Sequence, residues 1–261
     1  MRLALTRMAR IIELKTPADL EVAVAEAAAV LRSGGLVALP TDTIYGVSSL
    51  LNNTESIYRL KHRPHEKPLG LFVANVDLIH RFGKVGTVPE PLLDALLPGP
   101  VTLLFDRSDS LPVDFNPGAS KVGFRVPDAV FVQRLAEQFP EQPIAQTSAN
   151  MSGDPKSPLC IQDFEDLWPH LDLIIDAGPI CQHNGNRDGS TIVDLSQSGV
   201  YEITRRGCAF DATTKTLERF GLKAIGSAEE PKSEVSTGWI HRFWASISAK
   251  LVAVGRILKG F

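Results

Sequence analysis

Four polar segments of the sequence carry side chains that suit the binding of an anion. They are the turn Pro-Thr-Asp-Thr-Ile-Tyr-Gly at 40–46, the loop Lys-His-Arg-Pro-His-Glu-Lys-Pro-Leu at 61–69, the loop Thr-Ser-Ala-Asn-Met-Ser-Gly at 147–153 and the strand Ser-Thr-Ile-Val-Asp-Leu at 190–195. Lysine and arginine neutralise phosphate or carboxylate charge, while hydroxyls, amides and backbone N–H groups complete an anion cradle. Together these segments predict chemistry on an anionic substrate.

Three of these segments also have a purely structural interpretation. The turn can satisfy its own backbone, the loop at 61–69 can be a solvated run of charge, and the loop at 147–153 can cap a helix. A strand over 121–127 places Lys121 and Arg125 on one face by its period of two. Two cations on one strand face require an anionic neighbour, either a core carboxylate or a ligand. The residues alone leave these alternatives open.

Other common catalytic and metal-binding motifs are missing from the sequence. It contains no P-loop, no GxGxxG, no HExxH and no motif for a serine or cysteine nucleophile. The six histidines form no metal-ligand pattern, and the three cysteines lack CxxC spacing. We therefore expect no protein-bound metal and a reducing compartment.

The composition is typical of a globular protein with a sizeable core. Of the 261 residues 44% are hydrophobic, and the formal net charge of −3 argues against a nucleic-acid coat but leaves room for a local basic pocket. The sequence has no apolar run of the roughly 18 residues that span a bilayer. We expect a cytoplasmic protein, and the arginines near the N-terminus leave organellar targeting open.

Helical and strand patterns alternate along the chain, which predicts one α/β domain with a mixed sheet. The patterns predict helices over 17–33, 54–63, 77–82, 90–97, 128–139 and 163–171, and strands over 36–39, 69–74, 101–105, 121–127, 143–146, 173–176, 190–195 and 200–204. Asp128 is the expected cap of the helix that follows it. These elements place the polar segments at strand ends, where ligands of open α/β sheets tend to bind.

The two ends of the chain differ from this domain. We expect an N-terminal extension at 1–14, the α/β domain at 15–225, a linker at 226–238 and a basic amphipathic helix at 239–261. The helix carries an apolar stripe with four cations and no acid. It can dock on its own domain or a second subunit, bind a membrane surface, or bind another partner.

In order and spacing the four segments resemble the YrdC family, the threonylcarbamoyl-adenylate synthases that start synthesis of the threonylcarbamoyladenosine base of tRNA. Pro98-Gly99-Pro100, the strand at 122–127 and Arg205-Arg206-Gly207 extend the resemblance over roughly residues 15–210. It implies a twisted mixed sheet with surrounding helices and a concave, positively charged surface. It also implies a reaction of L-threonine, bicarbonate and ATP that gives threonylcarbamoyl-AMP and pyrophosphate.

The resemblance also implies roles for individual residues. A catalytic tetrad would hold the ATP phosphates: Lys61, Arg63, Ser148 and Asn150. Further nucleotide contacts would come from Lys67, Lys121 and Arg205, and the threonine substrate would be bound by Thr43, Arg125 and Ser190, with Gln146 lining the same pocket. Mg²⁺ is expected to accompany ATP. Phe72 replaces a histidine that many relatives carry near threonine, and Gln146 replaces a small residue.

Two other functions compete with this interpretation. A non-catalytic module that binds double-stranded RNA or tRNA could use the same concave basic surface, although the net negative charge counts against it. A carbamoyl-transfer domain of the hydrogenase-maturation type is the other, and the zinc-binding cysteines of those longer chains are missing here. As a synthase the protein would pass its product to a threonylcarbamoyl-transfer machinery and would make a possible tRNA contact.

Overall fold

The structure is a computed structural model that describes residues 9–180 and 187–225. The predicted linker at 226–238, the predicted helix at 239–261 and most of the N-terminal extension lie outside the described residues. Arg10–Glu13, within that extension, forms the first strand of the sheet and pairs in parallel with Leu173–Asp176. The predicted domain boundaries stay predictions.

The described strands form one mixed sheet, which confirms the predicted fold class. They are β1 (Arg10–Glu13), β2 (Val37–Leu39), β3 (Gly46–Leu50), β4 (Gly70–Phe72), β5 (Gly83–Lys84), β6 (Val101–Arg107), β7 (Lys121–Arg125), β8 (Ile144–Ser148), β9 (Leu173–Asp176), β10 (Thr191–Asp194), β11 (Val200–Arg205) and β12 (Lys223–Ala224). Their order is β1-β9-β2-β3-β8-β4-β7-β6-β10-β11-β12, with β5 paired to β6. The sheet contains parallel pairs such as β4–β7 and antiparallel pairs such as β3–β8.

The helices surround this sheet. They are α1 (Pro17–Arg32), α2 (Thr54–Lys61), α3 (Val76–Phe82), α4 (Glu90–Leu96), α5 (Val130–Glu137) and α6 (Phe210–Arg219), with 3₁₀ segments at Leu51–Asn53 and Ile161–His170. Thr16 and Asp19 form a capping box at the start of α1, with Pro17 in the first turn. The buried stripe of α1 then follows the helical period through Ala23, Val24, Ala27, Ala28 and Leu31.

Two hydrophobic clusters lie on opposite faces of the sheet. One joins α2, α3, α4, α6 and the segment Ile161–His170 to residues such as Val47, Leu71 and Phe124. The other joins α1 and α5 to the alternate positions of the strands, among them Leu50, Phe72 and Ile144. Over β4, β7, β6 and β10 this second face carries glycines and polar side chains, and there it lines a cavity.

Several local predictions were wrong for physical reasons. Asp128 does not cap α5, because the helix begins one residue too late for it: Ala129 holds the N-cap position and has no side-chain cap. Asp128 instead donates its backbone N–H to the carboxylate of Asp42. The helix predicted at 163–171 is a 3₁₀ segment with a kink at Phe164 and a proline at 169. The loop at 147–153 leads into irregular chain rather than a helix, so the cap interpretation is wrong.

No helix in the part of the chain that the structure describes has the length and apolar character needed to cross a membrane.

Candidate active site

A cavity of about 440 Å³ lies on the second face of the sheet. Nine of the eleven residues predicted to form the site line it, and they come from segments far apart in the chain: Thr43, Arg63, Lys67, Lys121, Arg125, Gln146, Ser148, Ser190 and Arg205. Five of these nine are cations, and among the described lining residues Glu66 is the single carboxylate. The cavity is therefore strongly positive in a chain whose net charge is −3.

Strand register places the cavity residues in order. Lys121 and Arg125 lie at opposite ends of β7 and share a face with Gly123, while Gln146 and Ser148 share that face on β8. Phe72 pairs with both Arg125 and Ile144, and Gly70 pairs with Gln146. This register orders the side chains along the strands. Arg125 lies toward one end of the cavity, Gln146 lies in the middle, and Ser148 and Lys121 lie toward the other end.

The two ends of the cavity differ in burial. We call Thr43, Arg125 and Ser190 the deep end, because each is at most 4% exposed. We call Arg63, Lys67, Lys121 and Ser148 the outer end, where every residue is half-buried or exposed. A small ligand group suits the deep end and a larger charged group suits the outer end.

At the deep end, Arg125 forms a buried ion pair with Asp42. The other Asp42 oxygen accepts the backbone N–H of Asp128 at 3.1 Å, and Arg125 Nε donates to the carbonyl of Gly99 at 3.4 Å. The carboxylate thus holds one edge of the guanidinium in place. Since Asp42 lies in the predicted turn, this pair also fixes that turn over the cavity.

The start of β10 is held against β6 and β11. Ser190 Oγ lies 2.8 Å from Thr102 Oγ1, and Arg205 donates to the Ser190 carbonyl at 2.8 and 3.0 Å and to Ser190 Oγ at 3.0 Å. Arg205 as a whole is exposed, but its guanidinium lies against Ser190, and the desolvation of this group, together with the nearby charge of Arg125, lowers its pKa. Two arginines thus converge on the deep end.

The turn at 40–46 is organised by Thr41. Its Oγ1 accepts the backbone N–H groups of Thr43 and Ile44 at 3.0 and 3.2 Å and donates to the Ile44 carbonyl at 2.7 Å. Thr43 Oγ1 lies 3.1 Å from the same oxygen. Tyr45 anchors the end of the turn, since its hydroxyl donates to the Gly178 carbonyl at 2.8 Å. The turn satisfies its own backbone groups and also lines the cavity. Its structural interpretation and its ligand-binding interpretation are therefore compatible.

Lys61 and Asn150, the two predicted residues that do not line the cavity, lie directly behind Ser148. Lys61 is 1% exposed, and its ammonium bonds the Ser148 carbonyl and lies 3.5 Å from both Ser148 Oγ and Asn150 Oδ1. Ser148 Oγ donates to Asn150 Oδ1 at 2.6 Å, and Asn150 in turn donates to backbone carbonyls of 154 and 156. Burial first, and then the charge of Arg63, lower the pKa of Lys61 to about 7.

The loop at 61–69 folds around Arg63. His62 ends α2 in the left-handed conformation, with φ 47°, and Arg63 then donates to the carbonyls of Lys67 and Pro68 at 2.7 and 3.0 Å. Burial lowers the pKa of the Arg63 guanidinium. The loop is therefore an ordered rim of the cavity, whereas a solvated charge run would leave Arg63 in water.

Lys121 is paired with a carboxylate that the sequence did not reveal. Its ammonium lies 2.5 Å from Asp194, whose other oxygen accepts both the backbone N–H and the hydroxyl of Ser196. The hydrogen bond to Asp194 raises the pKa of Lys121. Both cations of β7 thus have a core carboxylate as well as an open side toward the cavity.

Sequence reasoning missed Asp42, Asp194 and Thr102 as members of the site. Their partners are 73 to 88 residues away in sequence, so only the folded chain pairs them. The available signal was the requirement that Lys121 and Arg125 find an anionic neighbour. No group of three His, Cys, Asp or Glu side chains within 9–180 and 187–225 is arranged to hold a metal ion.

This chain is similar to proteins of a known family. The family model Sua5_yciO_yrdC, whose description is "Telomere recombination", matches residues 29–207. A Bos taurus protein named threonylcarbamoyl-AMP synthase is 47% identical over 208 residues, which cover 78% of this chain and 73% of that protein. The Homo sapiens protein of the same name is 46% identical over 209 residues, covering 78% of this chain and 72% of the human one.

A solved structure extends the likeness to three dimensions. The crystal structure of Pyrococcus abyssi Sua5 complexed with L-threonine superposes with a TM-score of 0.69 at 26% sequence identity, and it covers 86% of this chain. This chain spans 65% of the length of that solved chain. The family model alone matches more than half of the residues, and the chain belongs to the Sua5/YciO/YrdC family.

Proposed function

We propose that this protein is a threonylcarbamoyl-AMP synthase, a nucleotidyltransferase that forms L-threonylcarbamoyladenylate and pyrophosphate from L-threonine, bicarbonate and ATP. Its product would supply the threonylcarbamoyl group for the modification of tRNA in the cytoplasm. A downstream transferase would consume the product, and direct contact with tRNA belongs to the proposal as well.

The observation that carries the proposal is the convergence of four separate segments on one cavity. The residues of the deep end are ones that the family resemblance assigns to threonine, and those of the outer end are ones that it assigns to phosphate. Arg205 is the exception, because it is assigned to the nucleotide and contacts Ser190. Relatives at 46–47% identity bear the name of this activity. The excess of cations in the lining suits a triphosphate and a carboxylate.

The deep end fits the carboxylate of a small amino acid. Arg125 is ion-paired with Asp42, and Arg205 lies against Ser190 with Asp188 nearby, so two guanidinium groups bring N–H donors to this end of the cavity. A substrate carboxylate would take the open edge of Arg125, and Thr43 and Ser190 would bond it or the substrate hydroxyl. Gln146 would line the same pocket from β8.

The outer end fits the phosphates of ATP. Arg63, Lys67 and Lys121 would neutralise phosphate charge, and Ser148 would contribute a hydroxyl. Lys61 and Asn150 would act here by holding Ser148, and Lys61 in its protonated form would add positive charge from behind. Arg205 would contact the nucleotide from the rim of the cavity.

The proposed chemistry needs no protein nucleophile. The threonine amine attacks the carbon of bicarbonate and forms a carbamate, and water leaves with one amine hydrogen. A carbamate oxygen then attacks the α-phosphorus of ATP, and the P–O bond to pyrophosphate breaks. The protein would contribute by positioning the reactants and by stabilising negative charge on the leaving pyrophosphate.

Mg²⁺ would enter with the nucleotide. Glu66 is the single carboxylate in the described cavity lining, and Asp42 and Asp194 beside the cations of β7 are already ion-paired. This donor set does not form a protein cage for the ion, so the phosphates themselves would be its main ligands.

Threonine-dependent release of pyrophosphate tests the proposal. Purified protein is incubated with ATP, bicarbonate and Mg²⁺, with and without L-threonine, and pyrophosphate is measured over time. We expect release that depends on threonine in the wild type. For Arg63→Met we expect a loss of about 30- to 1,000-fold in kcat/KM, because one charge-assisted contact to phosphate is removed.

Arg59→Met is the matched control, because Arg59 lies exposed on α2 four residues before Arg63 and outside the cavity lining. Its rate should stay within about twofold of the wild type. Absence of pyrophosphate release from the wild type, combined with salt-sensitive binding of tRNA, would select the non-catalytic RNA-binding module instead.

A further inference from the structure

Gln146 occupies the middle of the cavity floor. It lies at the centre of β8 between β3 and β4, where it pairs with Ser48 and Gly70, and it lines the cavity in a half-buried position. Its carboxamide makes no hydrogen bond with any residue in the described ranges. Both the donor and the acceptor of this amide are therefore available to a ligand.

The space around the amide exists because two neighbours are glycines. A Cβ atom on Gly70 would lie 2.6 Å from Gln146 Nε2, and a Cβ atom on Gly123 would lie 2.9 Å from the Thr102 methyl group. Any side chain at these positions would fill the floor of the cavity. The floor is thus open directly beside the only amide side chain in the cavity lining of the described chain.

Strand geometry places Gln146 between the two ends of the cavity. Phe72 pairs with Arg125 on one side and with Ile144 on the other, and Gln146 is two residues further along β8. Ser148 of the outer end follows two residues beyond that. Each step of two residues is about 6–7 Å, so the amide lies roughly one step from either end.

The bond-forming atoms of the proposed reaction must lie in this middle level. If the threonine carboxylate lies at Arg125 and the triphosphate at the outer end, the one-carbon unit joins the amine to the α-phosphate between them. Cations flank this position on both sides, and Gln146 is the polar group beneath it. The inference rests on the proposed function, which sets what the two ends bind.

We propose that the Gln146 carboxamide binds the one-carbon reactant, as bicarbonate before C–N bond formation and as the carbamate carboxylate afterwards. Nε2 donates to one carboxylate oxygen and leaves the other oxygen free to attack phosphorus. The C–N bond forms, a C–O bond of bicarbonate breaks, and the departing oxygen leaves as water with one amine hydrogen and the hydrogen of bicarbonate. Gln146 is unchanged by the step.

A neutral amide suits this position better than another cation. A lysine or arginine here would bind the carbamate more strongly, but it would also withdraw charge from the oxygen that must attack. An amide hydrogen bond to an anion orients the group at a smaller cost to its nucleophilicity.

The test measures the apparent KM for each substrate with the other two saturating. The variants are Gln146→Leu, which keeps the volume and removes the hydrogen bond, and Gln146→Glu, which places a negative charge beside the anion. We expect the KM for bicarbonate to rise about 10- to 100-fold in both, while the KM for threonine and for ATP changes less than about threefold. Gln162→Leu, at an exposed glutamine, is the matched control and should match the wild type.

The outcomes separate the inference from the proposed function. An active wild type with an unchanged bicarbonate KM in both variants, or with a rise in threonine KM instead, overturns the inference and leaves the synthase activity standing. A wild type that makes no carbamoyl-adenylate overturns the proposed function. In that case the broadening of the ¹³C-bicarbonate NMR signal by wild type but not by Gln146→Leu still supports anion binding at this amide, and equal broadening overturns it.

Discussion

Replacing Lys61 with methionine should remove a pH dependence of stability that the wild type carries above pH 7. Lys61 is 1% exposed, and among the described residues its ammonium donates to oxygens of Ser148 and Asn150 rather than to a carboxylate. Burial, reinforced by Arg63, lowers its pKa from 10.5 to about 7. Methionine has a similar length and no charge, so it fits the same space without titrating.

The direction of this pH dependence follows from the number of protons that the folded and the unfolded chain bind. Between pH 7 and pH 10.5 the unfolded chain keeps the Lys61 proton while the folded chain has lost it, so wild-type stability rises with pH in this window. Below pH 7 both states are protonated and the cost of the buried charge is fully present. Integration from pH 7 to pH 9 gives a gain of about 2 kcal/mol for the wild type over Lys61→Met. This figure is an upper limit, because the three oxygens favour the charged form.

Urea unfolding at pH 6, 7, 8 and 9 measures this difference. The free energy of unfolding of the wild type minus that of Lys61→Met should be flat below pH 7 and should then rise toward about 2 kcal/mol at pH 9. Lys84→Met, at an exposed lysine, is the control and should run parallel to the wild type. Parallel curves for the wild type and Lys61→Met would refute the reasoning, because they would mean that Lys61 titrates alike in both states.

Two further substitutions test other parts of the site. Asp42→Asn leaves the guanidinium of Arg125 buried without its counter-charge, so the free energy of unfolding should fall by about 3–5 kcal/mol. Chemical unfolding measures this loss, and a loss below about 1 kcal/mol would show that the ion pair is not needed for stability. Gly70→Ala places a Cβ atom against the flexible end of Gln146, so the melting midpoint should hardly change while the bicarbonate KM rises. A large drop in that midpoint would instead mean that backbone, rather than Gln146, occupies the space.

Much of the fold was predicted from apolar runs and from the turn and capping residues that bound them. The strands at β2, β4, β6, β9 and β10 and the helices α1, α3 and α4 lie where the patterns predicted them, because each combines a clear period with a capping or turn residue. β3 was missed because it contains two serines, both fully buried, in place of an apolar run. α6 was missed because most of its residues are polar and it buries only Thr213 and Leu217.

The candidate site was predictable in its membership but not in its pairing. The family resemblance, carried by the four segments and the strand at 122–127, implied that Arg63, Ser148 and Arg125 belong to one site, and all three line one cavity. The ion pairs of Arg125 with Asp42 and of Lys121 with Asp194 depend on long-range register, which periodicity along one strand does not contain. The position of Lys61 behind Ser148 likewise depends on how the C-terminal end of α2 meets the end of β8.

A double-label incubation tests whether the protein joins an amino acid, a one-carbon unit and a nucleotide in one product. The wild type is supplied with ¹⁴C-bicarbonate, ³H-ATP labelled in adenine and L-threonine, and the products are separated by chromatography. We expect one adenylate species that carries both labels, forms in step with pyrophosphate and disappears when threonine is omitted. Tritiated AMP without ¹⁴C, or no threonine-dependent adenylate at all, would contradict a cavity that joins an amino acid, a one-carbon unit and a nucleotide.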